Sequence, residues 1–251
     1  MDNPLPAREQ IINNLITKSN IKSAVFDSVL EVFNQLKELL GEISNDFNDV
    51  LDEKQEKEGT TLSKRVKLNY RDRGKFEAEL RFADDVLIFS MHQDVFQFDR
   101  NHAIWDNPYT KEAPFNSYCG IINVYNFLYD SIKYDRDDDL GYLIARIFVN
   151  KDKAFFVEGK RQPRRRTRDF GKVTLDRKEL TDFVESAMLY SMSFDLLVPP
   201  FDVMKVSSVE QINEKIDNAR MKTGKRLGFE YKSDDVLNSD IEKYSSDDKH
   251  K

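Results

Sequence analysis

Cysteine is almost absent from this chain of 251 residues: Cys119 stands alone. A single thiol cannot form an internal disulfide, so the expectation is a fold made for a reducing compartment. Histidine is nearly as scarce, with His92, His102 and His250 far apart in sequence. One cysteine and three scattered histidines give no zinc-ligand spacing. No apolar run approaches the roughly 20 residues of a membrane helix, which argues against a membrane partner. The first ten residues, MDNPLPAREQ, lack the charged and apolar regions of a signal peptide. The expected location is therefore the cytoplasm. Glycine-rich signatures are missing too. There is no Gly-x-Gly-x-x-Gly, no Gly-x-x-x-x-Gly-Lys-Ser/Thr and no Gly-x-Ser-x-Gly, so the chain carries no signature of a cofactor. A formal net charge of −6 excludes a surface designed throughout for nucleic acid, though it leaves room for a local basic site.

What is present is a sheet protein with helices. From Lys75 to Phe98, Phe76, Ala78, Leu80 and Phe82 alternate with Glu77, Glu79 and Arg81. That period of two marks a strand, and the unbroken apolar run Val86–Phe89 marks a strand covered on both faces. Asp72-Arg73-Gly74 supplies the turn into this stretch, after an expected strand at Val66, Leu68 and Tyr70. Upstream, a short helix is expected from Pro6 to Lys18 and a long one from Asn20. The long helix has Val29, Val32, Leu36, Leu39, Ile43 and Val50 on one stripe and Phe26, Phe33, Leu40 and Phe47 on a second row. This stripe is wider than a two-position coiled-coil seam. It fits packing on the same chain's sheet, with self-association as the alternative. Gly59 and Thr60 should end the helix.

Further along, Asp99–Asn116 reads as a loop of a length that is often functional, with the plainer alternative that its Trp105, Pro108, Tyr109, Pro114 and Phe115 plug the edge of the core. Tyr118, Ile121, Ile122, Tyr125, Leu128, Tyr129 and Ile132 recur at helical spacing, so a helix is expected over 117–134. Asn150–Lys153 reads as a hairpin turn between Leu140–Val149 and Ala154–Glu158. A helix from Asp176 to Phe194 opens with an Asp-x-x-Glu cap, and another opens at Ser207-x-x-Glu210. A last strand falls at Leu227–Tyr231. The composition of 233–251 is polar, aspartate-rich and poor in large apolar groups, which implies disorder. The expected fold class is α+β: an antiparallel sheet covered by helices, with a long N-terminal helix and a disordered acidic C-terminal tail. The expected units are a helical arm over 1–58, a core over 59–232 and the tail over 233–251.

Three stretches suggest chemistry. In the first, Arg81–Ser90, an aromatic residue, alanine and the pair Asp84-Asp85 lie between hydrophobic strands. It resembles the strand-turn-strand motif of reverse-transcriptase palms. That resemblance implies divalent metals on Asp84 and Asp85 and nucleotidyl transfer. It covers ten residues, and a palm's further metal-binding aspartate and Gly-rich motif are not found upstream. The bland reading is a turn favouring aspartate. In the second, Asp135–Gly141 superficially resembles a calcium loop, but Arg146 stands where a closing glutamate belongs. The third is Lys160, Arg161, Arg164, Arg165, Arg166 and Arg168, six cations in nine residues with Lys172 beyond and Asp169 opposing. Five are arginines, whose planar fork suits paired contacts with phosphate oxygens. Crowded like charges favour an anion that neutralises them, nucleic acid or another phosphate-bearing polyanion. Alternatively the charges are hydrated on a solvated loop. Cys119 with His92 or His102 as base would be a nucleophile, against the plainer reading of a buried thiol.

FADDVLIFSMH (82–92), SYCGIINVYNFL (117–128), LGYLIARIF (140–148), FFVEGKRQ (155–162), FDLLVPP (194–200) and TGKRLGF (223–229) together resemble a group of bacterial proteins with no assigned activity. The resemblance spans most of 7–232. It implies a bacterial cytoplasmic origin and one co-inherited unit that includes the N-terminal helix, and it transfers no site residue. The sequence thus favours a non-catalytic binding or regulatory protein using Lys160–Arg168. Metal-dependent nucleotidyl transfer at Asp84 and Asp85, or assembly through the N-terminal helix, are the alternatives.

Overall fold

The computed structural model describes residues 6–59, 61–136, 139–159 and 167–194. The helix expected at 207, the strand at 227–231 and the acidic tail lie outside the described residues.

The N-terminal expectation of two helices becomes one continuous rod. α1 (Ala7–Asn14) runs through a π-helical turn (Leu15–Ser19) into α2 (Asn20–Glu58). Asn20 does not cap, because Ser19 and Asn20 both keep right-handed helical angles. The rod ends at Gly59, whose φ of 64° is left-handed and costs glycine nothing. At about 1.5 Å per residue α2 is about 58 Å long, against about 24 Å for five strand spacings. Only the middle can therefore lie on the sheet. Val25, Val29, Val32, Phe33, Leu36, Leu39, Leu40 and Ile43 are buried there. Beyond Ser44 the stripe runs past the sheet, leaving Phe47 39% and Val50 52% exposed.

The sheet is antiparallel throughout, in the order β1 (Asn69–Asp72), β2 (Glu77–Phe82), β3 (Asp85–Met91), β5 (Tyr118–Leu128), β6 (Tyr142–Val149), β7 (Phe155–Gly159). A two-residue β4 (Phe96–Gln97) extends the line of β3 along β5. Lys37 ties the β1–β2 turn to α2: it pairs with Asp72 at 2.8 Å and donates to the Gly74 carbonyl at 2.7 Å. Its hydrogen bond holds the Asp72 carboxyl below its ordinary pKa. Ala78, Leu80 and Phe82 on β2, with Leu87 and Phe89 on β3, face the helices as their alternation implies. α5 (Arg177–Met192) joins α2 on this side, burying Leu180, Phe183, Val184, Ala187 and Met188. Asp176 caps it as expected, accepting from the Glu179 N–H at 2.9 Å.

One expectation is overturned. Residues 118–128 are not helical but form β5, the longest strand, and only Tyr129–Lys133 coils, as α4. The segment is apolar at nearly every position, so helical spacing and strand alternation both fit it. Ile121, Ile122, Val124, Tyr125 and Phe127 are β-branched or aromatic, the types that suit a strand covered on both faces. The first strand also starts later than expected, at Asn69, because Lys64–Val66 forms a turn.

Gly120 shows how closely α2 approaches this strand. A Cβ placed there would sit 2.7 Å from a Val29 methyl carbon. Gly120→Ala should cost about 1–3 kcal/mol as an overpacking change, measured by urea unfolding. Adding Val29→Ala should return less than its own single-variant cost, because the two changes share one space.

Candidate functional site

The two faces of the sheet are covered unequally. Opposite α2 and α5, one end of the sheet lies under a layer built from the segment between β4 and β5. This layer contains a 3-10 turn (Ala103–Asp106), α3 (Pro108–Glu112) and a second 3-10 turn (Pro114–Ser117). Its Phe98, Ile104, Trp105 and Tyr109 pack with Phe148, Phe156, Phe170 and Cys119 into a second core. Trp105 and Tyr109 plug the edge of the core as the sequence suggested, whereas Phe115 is exposed, as are Pro108 and Pro114.

Buried amides hold this layer down. Asn107 donates to the carbonyls of Thr167 (3.0 Å) and Phe170 (2.9 Å). The Tyr109 hydroxyl donates to Asp152 at 2.7 Å and accepts from Asn150 at 3.0 Å. Burial, reinforced by the hydrogen bond to Asp152, pushes the Tyr109 phenol up to about 12. Burial opposes ionisation of Asp152, but hydrogen bonds from Lys151 and Tyr109 outweigh it and lower its pKa.

At the other end α4 closes over the hairpin of β2 and β3, where the Arg81 guanidinium stacks 3.3 Å from the Tyr129 ring centroid. Between α4 and the loop layer no described helix covers the face. Ile88, Tyr125 and Phe127 are half-buried there, and Leu143, paired with Tyr125 across the strands, is 45% exposed. Arg146 borders this strip, pairing with Glu158 at 2.7 Å and lying 5.5 Å from the Phe148 ring centroid. Glu158 also lies 3.6 Å from His102, which stacks on Phe98.

Of the basic segment, Lys160, Arg161, Arg164, Arg165 and Arg166 lie outside the described residues. Arg168 lies in a 3-10 turn (Thr167–Asp169), its side chain 3.8 Å from Asp169 and largely exposed. Both flanks of the segment are placed. Upstream, Gly159 ends β7 and pairs with Ala145, which pairs with Val124, the neighbour of Tyr125. Downstream, Thr167 is held by Asn107.

The structure does not bring Asp84 and Asp85 together. Ala83 (φ 49°) and Asp84 form a two-residue hairpin loop, and Asp84 points to solvent, 76% exposed and 3.7 Å from Arg65. Asp85 is buried and accepts from Asn126 at 3.0 Å. Among the described residues no group of three His, Cys, Asp or Glu side chains is placed to hold a metal ion. In the aspartate-rich turn, Asp139 accepts from Ser131 at 2.6 Å, while Asp137 and Asp138 lie outside the described residues. Cys119 is fully buried, which pushes its thiol pKa up. The histidines proposed as its base serve as local caps: His92 Nδ1 accepts from the Asp94 N–H and His102 Nδ1 from the Ile104 N–H.

The open strip escaped the sequence because its central residues were assigned to a helix. The β-branched and aromatic density of 121–127 was the signal that could have found it. No described helix is long and apolar enough to cross a membrane. No protein-family model, curated protein or solved structure matches the chain.

The Tyr109 geometry fixes a pH dependence. In the unfolded chain a tyrosine ionises near pH 10, whereas folded Tyr109 stays protonated to about 12. Its contribution to stability is complete below about pH 10 and disappears as pH rises from there toward 12. Urea midpoints measured across this range should fall less steeply for Tyr109→Phe than for the parent protein.

Proposed function

We propose that this is a non-catalytic binding or regulatory protein, bacterial in origin, that contacts a phosphate-bearing polyanion through Lys160–Arg168. The observation carrying this reading is the cation density of that segment, joined to two fixed ends: Gly159 on the edge strand β7, and Thr167 held by Asn107 of the loop layer. Net charge −6 repels a polyanion at long range, so contact has to come from local arginines within a Debye length of about 8–10 Å. The alternatives have less support. Asp84 and Asp85 point apart, and the α2 stripe that would mediate assembly is buried against its own sheet from Val25 to Ile43, leaving only its end at Phe47 and Val50 exposed.

Titration of labelled inorganic polyphosphate, followed by anisotropy at several salt concentrations, tests the reading. Binding should weaken with salt, and replacing Arg164, Arg165, Arg166 and Arg168 by alanine should lower both affinity and salt slope. An unchanged slope in that variant would overturn it.

A further inference from the structure

We propose that His92 and His102 form a pH-sensitive latch on the segment that carries β4, closed while both imidazoles are neutral and released at both ends when they take up a proton. No residue of the basic segment takes part.

Both histidines among the described residues do the same thing in the same way. His92 Nδ1 accepts from the Asp94 N–H at 3.0 Å, and His102 Nδ1 accepts from the Ile104 N–H at 3.2 Å. Each reaches the amide two residues on, a role usually filled by aspartate or asparagine. Asp99 shows that ordinary version within the same segment, its carboxylate accepting from the Asn101 N–H at 2.9 Å. Each imidazole also rests against a phenylalanine: His92 stands edge-on to Phe96 with ring centroids 4.7 Å apart, and His102 stacks on Phe98 at 4.5 Å. Together they bracket 92–102. Between them Phe96 and Gln97 pair with Cys119 and Tyr118 of β5, and Phe98 enters the second core. His102 is moreover the cap of the 3-10 turn Ala103–Asp106, with which the loop layer begins.

Of these acceptors, imidazole is the type that titrates between about pH 5 and 8. With its proton on Nε2, neutral histidine offers a lone pair at Nδ1; the cation carries N–H on both nitrogens and offers none. A gained proton therefore sets Nδ1–H against the amide N–H, donor against donor, and the cap breaks. A new partner is already close in each case. The Asp94 carboxylate lies 3.8 Å from His92 Nδ1, and Glu158 of β7 lies 3.6 Å from His102 Nε2. Around His102 the other charged groups are Arg146 of β6, which shares Glu158, Asp99 and Arg100 on its own loop, and Asp106 at the far end of the turn. A partly exposed ion pair gained and a cap lost are of similar size. Protonation thus exchanges partners rather than unfolding the protein, and such a balance is what a switch requires. After the exchange the loop layer keeps its bonds through Asn107 and Asn150 but loses the joint through which the chain enters it.

Amide hydrogen exchange followed by NMR tests the latch. Relative to intrinsic rates, protection of the Asp94 and Ile104 N–H groups should fall about fivefold between about pH 8 and pH 5, the equilibrium equivalent of one capping bond. His102→Asn caps without titrating, so it should hold Ile104 constant and leave the Asp94 response in place. His92→Asn should do the converse. Fluorescence of Trp105, the sole tryptophan, should follow Ile104, because its backbone N–H bonds to the His102 carbonyl at 3.1 Å. Should a variant fail to fold, the imidazole nitrogen shifts of the parent protein at about pH 8 decide the matter. An unprotonated Nδ1 in both rings supports the latch, and a proton on either Nδ1 overturns it. Protection that does not change with pH in the parent, or that falls at both amides in both variants, overturns it as well.

Discussion

The structure depends on one contact surface, the stripe of α2 laid across the sheet. Eight large apolar residues from Val25 to Ile43 lose their water there, against strands from β1 to β6. At roughly 1.5–3 kcal/mol per buried aliphatic or aromatic side chain, this is among the largest gains available to the fold. It also sets geometry elsewhere. The helix comes so close to β5 that residue 120 has to be glycine, and the Lys37 clasp to Asp72 and Gly74 fixes the outer hairpin. With this side covered by α2 and α5, the described residues cover the opposite side unequally.

That opposite side is held by polar rather than apolar bonds to a greater degree. Asn107, Asn116 and Asn150 are buried side chains: Asn107 ties the loop layer to the 167–170 turn, Asn150 ties it to the turn between β6 and β7, and Asn116 donates to the Tyr109 carbonyl within the layer. Each would cost on the order of 1–3 kcal/mol if left unpaired, so the layer adopts one arrangement or fails. Its rigidity delimits the open strip on one side, as α4 does on the other. Thr167, at the downstream end of the basic segment, takes its position from the same bonds, while Gly159 takes its own from pairing with β6.

Much of this was legible in the sequence, for identifiable reasons. Alternation at Phe76–Phe82, the wide stripe of α2, the capping pair Asp176 and Glu179 and the hairpin at Asn150–Lys153 are local signals that survive without tertiary knowledge. The 118–128 segment was not legible, because apolar residues on both of its faces remove the sequence alternation that would distinguish it from a helix, although its burial alternates in the fold. Misassigning it hid the strip around Tyr125, since the neighbours that define that strip come from β3 and β6. The turn at Asp84 was legible as the bland reading, but the burial of Asp85 was not: its partner is Asn126, 41 residues downstream in a strand read as a helix.

The order of the elements along the chain has a cost in the cell. α2 leaves the ribosome first, yet the strands that cover it are complete only at β5 and β6. Between Ser44 and Leu128 synthesis takes on the order of ten seconds at about 5–20 residues per second. Through that interval a helix with one oily side has no partner of its own. Burial of that oily side is therefore paced by elongation rather than by local helix formation.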